Sequence, residues 1–180
     1  MTHPIIVNRN QIDYTTTIKI LGMTYAAFGL KPQVTSRRAI ANNTLNKLQR
    51  FRTLSPTNKR RLYKTIVRPQ LLYPIVPLNT LSTAQTRRLQ QVQNRALRFI
   101  DNVSPLDCIP SQVLHQRHDI PPVNVYIHRR AIDTWTTTRD KLPDIYDALT
   151  TDAIYPNPPN RHFKRSIVDN SSREPEPLFT

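Results

Sequence analysis

The period of apolar positions changes along the chain. Ile5-Ile6-Val7, a polar turn from Asn8 to Gln11, Ile12 to Tyr14, and Ile18-Lys19-Ile20-Leu21 closed by Gly22 predict two or three short β-strands. After Pro32, Ala41, Leu45, Leu48 and Arg52 fall on one side of a helix running from about Val34 to Thr53. Ser55-Pro56 supplies a hydroxyl cap and a proline at the first helical position, and the helix it opens carries Leu62, Ile66, Pro69 and Tyr73 on one face. Pro69, Pro74 and Pro77 then bend or end it, because each removes an amide donor. Ser82 and Gln85 have capping-box spacing and open the most regular helix, with Leu89, Val92, Ala96, Phe99, Ile100 and Val103 on one stripe. A short piece follows around Ser111 to His115. Pro121-Pro122 then start a helix with Val123, Ile127, Ala131 and Trp135 inward, and a last turn lies at Asp144 to Leu149.

From Thr151 the chain turns to proline, asparagine, serine and scattered charge, a composition that predicts a disordered tail. The expected fold is therefore mostly α: a short N-terminal β element (1–30), basic helices (31–104), a further helical region (105–150) and the tail (151–180), with four or five helices bundled together.

Charge sharpens this picture. The 180 residues carry 26 Lys and Arg against 12 acids, a formal +14. Seventeen of those cations but only one acid, Asp13, precede Asp101, so the first hundred residues hold all of the excess. That distribution points to a polyanionic partner. Two glycines, Gly22 and Gly29, are too few for a Gly-rich phosphate cradle, and the lone Cys108 rules out disulfide frameworks and cysteine zinc sites. No long apolar run or signal-peptide pattern is present, so the expectation is a soluble intracellular protein, nuclear or cytoplasmic, with no membrane partner.

On the predicted helices the cations fall in ladders. Lys47 and Arg50 point away from the Ala41/Leu45/Leu48 side; Arg60, Lys64 and Arg68 recur every four residues; Arg87, Arg88, Gln91, Arg95 and Arg98 flank the third apolar stripe. Like charges at this spacing cost a few tenths of a kcal/mol per pair, roughly, unless something negative lies against them. Solvated faces ordinarily mix both signs, and no carboxylate occurs between Asp13 and Asp101. Without regularly interleaved aromatics, a duplex backbone suits these faces better than stacked single strands.

Ile18-Lys19-Ile20-Leu21-Gly22, followed by Leu62-Tyr63-Lys64-Thr65-Ile66-Val67-Arg68-Pro69-Gln70-Leu71-Leu72-Tyr73, resembles the end of reverse transcriptases from jockey-like non-LTR retrotransposons. Leu89-Gln90-Gln91-Val92-Gln93-Asn94-Arg95-Ala96-Leu97-Arg98-Phe99-Ile100, then Leu114-His115 and Ile120-Pro121-Pro122-Val123, continue that likeness in order, over roughly residues 5 to 135. The resemblance implies that Leu21 and Gly22 sit in a primer-grip-like strand and turn. The basic helices would be thumb elements clasping a template–primer duplex. Polymerase chemistry needs carboxylates that hold divalent metals, which the family supplies from an aromatic-x-Asp-Asp turn. No Asp-Asp occurs in this sequence, so the chain is expected to be a C-terminal piece or degenerate copy that does not polymerise alone. Any Mg²⁺ would belong to a palm region, itself a potential partner, and no cofactor is expected here. Tyr73-Pro74-Ile75-Val76-Pro77-Leu78 departs from the glycine and tryptophan common in the family at that place.

Other constellations read more simply. His115, His118 and His128 lack the Cys or acidic partners of a tetrahedral metal site and read as polar loop histidines. Cys108 has no base oriented toward it in its proline-bounded loop, and Tyr126 and Trp135 read as core or rim aromatics. Two readings remain besides a thumb remnant: a free-standing basic helical nucleic-acid-binding module, and an inert degenerate product.

Overall fold

The computed structural model describes residues 5–7, 10–12, 15–26, 29–74, 80–104 and 106–144. The chain is mostly helical, as its periodicity predicts. Strands β1 (Ile5–Val7) and β2 (Asn10–Ile12) pair antiparallel, and so do β3 (Thr17–Ile20) and β4 (Met23–Ala26). The β3–β4 hairpin extends the β expectation by a strand, because Gly22 turns the chain instead of ending the β region. Ile20 pairs with Met23 across Leu21 and Gly22, whose φ values are 48° and 77°. Two successive positive φ values define the tight hairpin turn whose twist suits the flanking strands.

Helix α1 (Lys31–Leu48) begins earlier than Val34, with Pro32 inside its first turn, where a missing amide is harmless. It tightens into a 3₁₀ turn at Gln49–Phe51, leaving Arg52 exposed rather than on the apolar side. Ser55 caps α2 (Pro56–Leu62) by accepting from the Asn58 amide. A π-turn (Tyr63–Val67) runs directly into α3 (Arg68–Leu71), and there the Arg68 amide reaches back five residues to the Tyr63 carbonyl. A wide turn just before Pro69 is where a proline's lost bond and its clash with the carbonyl four residues earlier are absorbed.

The π-turn also overturns the inward face expected from an α-period. Ile66, Pro69 and Tyr73 are exposed, and Lys59, Tyr63, Val67 and Leu71, spaced by four, are buried instead. Helix α4 (Thr83–Asp101) starts with the expected capping box, Ser82 and Gln85 exchanging bonds, and buries Leu89, Val92, Ala96, Phe99 and Ile100. Helices α5 (Ser111–His118) and α6 (Val123–Lys141) complete the bundle. One apolar cluster runs through all of it, from Val34 to Ile127. The predicted last turn falls largely, and the predicted tail wholly, outside the described residues.

Candidate nucleic-acid interface

Helices α1 and α4 lie side by side, and a polar seam closes their outer edge. Arg95 donates from Nη1 to Asn42 Oδ1 at 3.2 Å and from Nη2 to Asn46 Oδ1 at 2.7 Å. One turn earlier, Arg38 Nη2 stands 3.5 Å from Gln91 Oε1. The pairs advance together along both helices, which therefore run in the same direction. Arg88 lies two turns before Arg95 on α4, and Lys47 and Arg50 follow Asn46 on the α1 side. Arg38, Lys47, Arg50, Arg87, Arg88 and Arg95 are all exposed. Among the described residues every ion pair lies at Asp101 or beyond, so nothing negative in the described fold neutralises this surface.

The remaining candidates are bound into the fold. Arg60 donates to the His118 carbonyl at 3.3 Å, Lys64 is half-buried, and the Arg68 guanidinium stacks 4.4 Å from the Tyr126 ring centre. Arg98 holds the loop after α4 through the carbonyls of Asp107 and Ile109, both at 3.2 Å. Of the nine sequence-predicted cations, Lys47, Arg50, Arg87, Arg88 and Arg95 stand exposed on α1, the turn after it and α4; Arg60, Arg68 and Arg98 hold to α5, α6 and the loop after α4, and Lys64 is half-buried. Sequence reasoning missed Arg38, Asn42 and Asn46; their spacing of four and match to Gln91 and Arg95 were the available signal.

Leu21 and Gly22 form the exposed tip of the β3–β4 hairpin. Arg37 Nη2 donates to the Gly22 carbonyl at 2.7 Å and its guanidinium lies over the Tyr73 ring, while the Tyr73 hydroxyl donates to the Leu21 carbonyl at 3.0 Å. Gln33 braces the same corner, accepting from the Thr24 amide and donating to the Tyr73 carbonyl, each at 3.0 Å. With its backbone so held, the Leu21 side chain stands 88% exposed beside exposed Ile18 and Ile20.

Gln90, Gln93, Asn94 and His115 form a buried polar network. Gln90 accepts from the Val123 amide at 2.8 Å, donates to Asn94 at 2.7 Å, and meets His115 Nε2 at 3.0 Å. His115 Nδ1 donates to the Ile120 carbonyl at 2.7 Å, and Gln93 donates to the Pro121 carbonyl at 3.0 Å. Buried polar groups are tolerated only when so satisfied. The histidines are accordingly not loop residues: His115 and His118 are buried in α5 and His128 in α6. Burial lowers the His115 pKa below its usual 6.5, against the opposing bond to the Ile120 carbonyl. His118 Nε2 lies 2.7 Å from Asp101 Oδ1 but off the hydrogen-bonding axis.

Lys59 is fully buried beneath the end of α4. Its ammonium donates to the carbonyls of Phe99 (3.4 Å) and Ile100 (3.1 Å) and to Asn102 Oδ1 (2.9 Å), a cationic cap at the negative end of the helix dipole. Desolvation lowers its pKa from 10.5. Among the described residues no three His, Cys, Asp or Glu side chains converge as metal ligands, and no helix is long and apolar enough to cross a membrane. Searches of protein-family models, curated proteins and solved structures found no match to this chain.

Proposed function

We propose that this chain is the C-terminal, duplex-gripping part of an RNA-directed DNA polymerase of the jockey-like non-LTR retrotransposon kind, binding the nucleic-acid backbone without catalysing synthesis. The observation carrying the proposal is the outer face of α1 and α4, where exposed arginines and Lys47 stand with no carboxylate among the described residues against them. Phosphates provide the counter-charge that such a face lacks. The hairpin tip supports the same reading, since a rigidly held backbone presenting Leu21, Ile18 and Ile20 to solvent suits a strand that works against a neighbouring palm region. No polymerisation step is assigned to these residues, because the metal-holding carboxylates are not among them. An intracellular setting, nuclear or cytoplasmic, follows from the proposed role.

A second reading, a free-standing basic helical module, draws support from the single core shared by α1 to α6. Titrating purified chain with a labelled RNA–DNA hybrid at several salt concentrations tests what the two readings share. The expected result is a binding constant that falls steeply with salt, its slope implying several phosphates, with hybrid or duplex favoured over single strand. Weak, salt-indifferent binding to all three overturns both. Primer extension with Mg²⁺ or Mn²⁺ is expected to yield no product.

A further inference from the structure

We infer that the α1–α4 seam is an all-donor phosphate site, gripping consecutive backbone phosphates without reading bases. The inference rests on the nucleic-acid reading above and names the residues and the ligand atoms involved. An asparagine or glutamine offers one acceptor oxygen and one donor NH₂, and it reads adenine only when both are available. Here the oxygens are turned toward arginines. Asn42 and Asn46 both turn Oδ1 to Arg95, and Gln91 turns Oε1 toward Arg38. The amide NH₂ groups of these three residues are left for an outside partner, and Arg95 keeps three of its five donors.

The edge therefore presents a row of N–H groups and positive charge, its amide oxygens turned to the arginines and no carboxylate among the described residues against it. A ligand that only accepts, and is negatively charged, satisfies that row; phosphodiester oxygens do both. Steps of four residues along α1, about 6 Å each, repeat the donors in a line, and Arg88 and Arg50 extend it at opposite ends. An adenine or cytosine edge in the major groove would offer the seam a donor and leave like facing like; guanine's O6 and N7 only accept but are uncharged, so the positive row favours phosphate over that edge as well.

The test uses the full chain with fluorescent 20-base-pair hybrid and DNA duplexes of two unrelated sequences. In Asn42→Asp/Asn46→Asp, Arg95 keeps oxygen partners, so the helix pair stays joined while the row loses its two central NH₂ donors and gains two negative charges. Asn58→Asp/Arg61→Gln, on the exposed side of α2, removes the same net charge elsewhere. The seam variant is expected to bind at least tenfold more weakly at about 100 mM salt with a melting temperature no lower than the parent's and a salt slope smaller by roughly two, and the control within about threefold of the parent. Equal weakening of both variants overturns the seam and leaves nucleic-acid binding standing. A tenfold preference between the two unrelated sequences overturns the phosphate-only assignment, because backbone contacts carry no sequence information of that size directly. Failure of the parent chain to bind any nucleic acid removes the functional reading itself.

Discussion

At Gly22 one backbone angle decides a corner of the molecule. Its φ of 77° lies where an L side chain is strained, whereas a Cβ there would meet Tyr73 at an ordinary 3.5 Å, so the penalty for Gly22→Ala is conformational rather than steric. The expected loss is about 1 kcal/mol, read as a lower midpoint in urea with unchanged slope. His115 gives a pH dependence of definite sign. Its folded pKa lies below 6.5 while the unfolded histidine binds a proton near 6.5, so the unfolded chain takes up protons first as pH falls. Stability contributed by neutral His115 is complete above about pH 7.5 and declines as pH drops through 6.5. On its Nε2 side His115 meets both the Gln90 NH₂ and Asn94 Oδ1, so burial rather than a missing acceptor sets the direction of the shift. His115→Gln should be less stable at pH 7.5 by about 1–3 kcal/mol, and the gap to the parent should narrow by pH 5.5. A gap that stays constant with pH would contradict the assignment.

Among the elements, those with a local signal are the ones the sequence predicts well. Ser55-Pro56 and the Ser82/Gln85 box work through hydrogen bonds within one turn, and both caps form as read. The α4 stripe was legible because its inward face is regular and apolar. The π-turn was not, since its register depends on how the rod from Pro56 to Leu71 packs, and the buried ammonium of Lys59 runs against every hydropathy rule. His115 escaped for the same reason, its side-chain partners lying 21 and 25 residues away. Of the interface, the cations were visible, but which of them turn inward was decided by Tyr126, His118 and the 104–110 loop. The Gln90 network ties α4 to α5 and α6, and it makes an element-level prediction. Gln90→Leu leaves the Val123 amide, Asn94 and His115 short of a partner, at about 1–3 kcal/mol for each group left unsatisfied. Hydrogen exchange should accelerate at Val123 and through the first turn of α6 before it changes in α1; uniform acceleration would mean that the network does not specifically hold α6.

For the whole molecule, the separation of charge along the chain sets how the fold answers to salt. A surface of mutually repelling cations stores unfavourable energy in the compact state, and screening relieves it over a Debye length of about 10 Å at 0.1 M. Among the described residues the few ion pairs that salt would weaken are confined to Asp101 and beyond, and two of the four are between exposed groups. Repulsion therefore outweighs attraction, and the melting temperature should rise between about 20 and 300 mM NaCl. A duplex at low salt should raise it further, since a ligand that binds only the folded chain stabilises it by mass action, and that increment should vanish as salt displaces the phosphates. The two effects thus have opposite salt dependence and can be separated in one set of melting curves. A melting temperature that falls with salt in the absence of nucleic acid would show that the cations of α1 and α4 are already neutralised within the fold, and the case for a polyanionic partner would lose its footing.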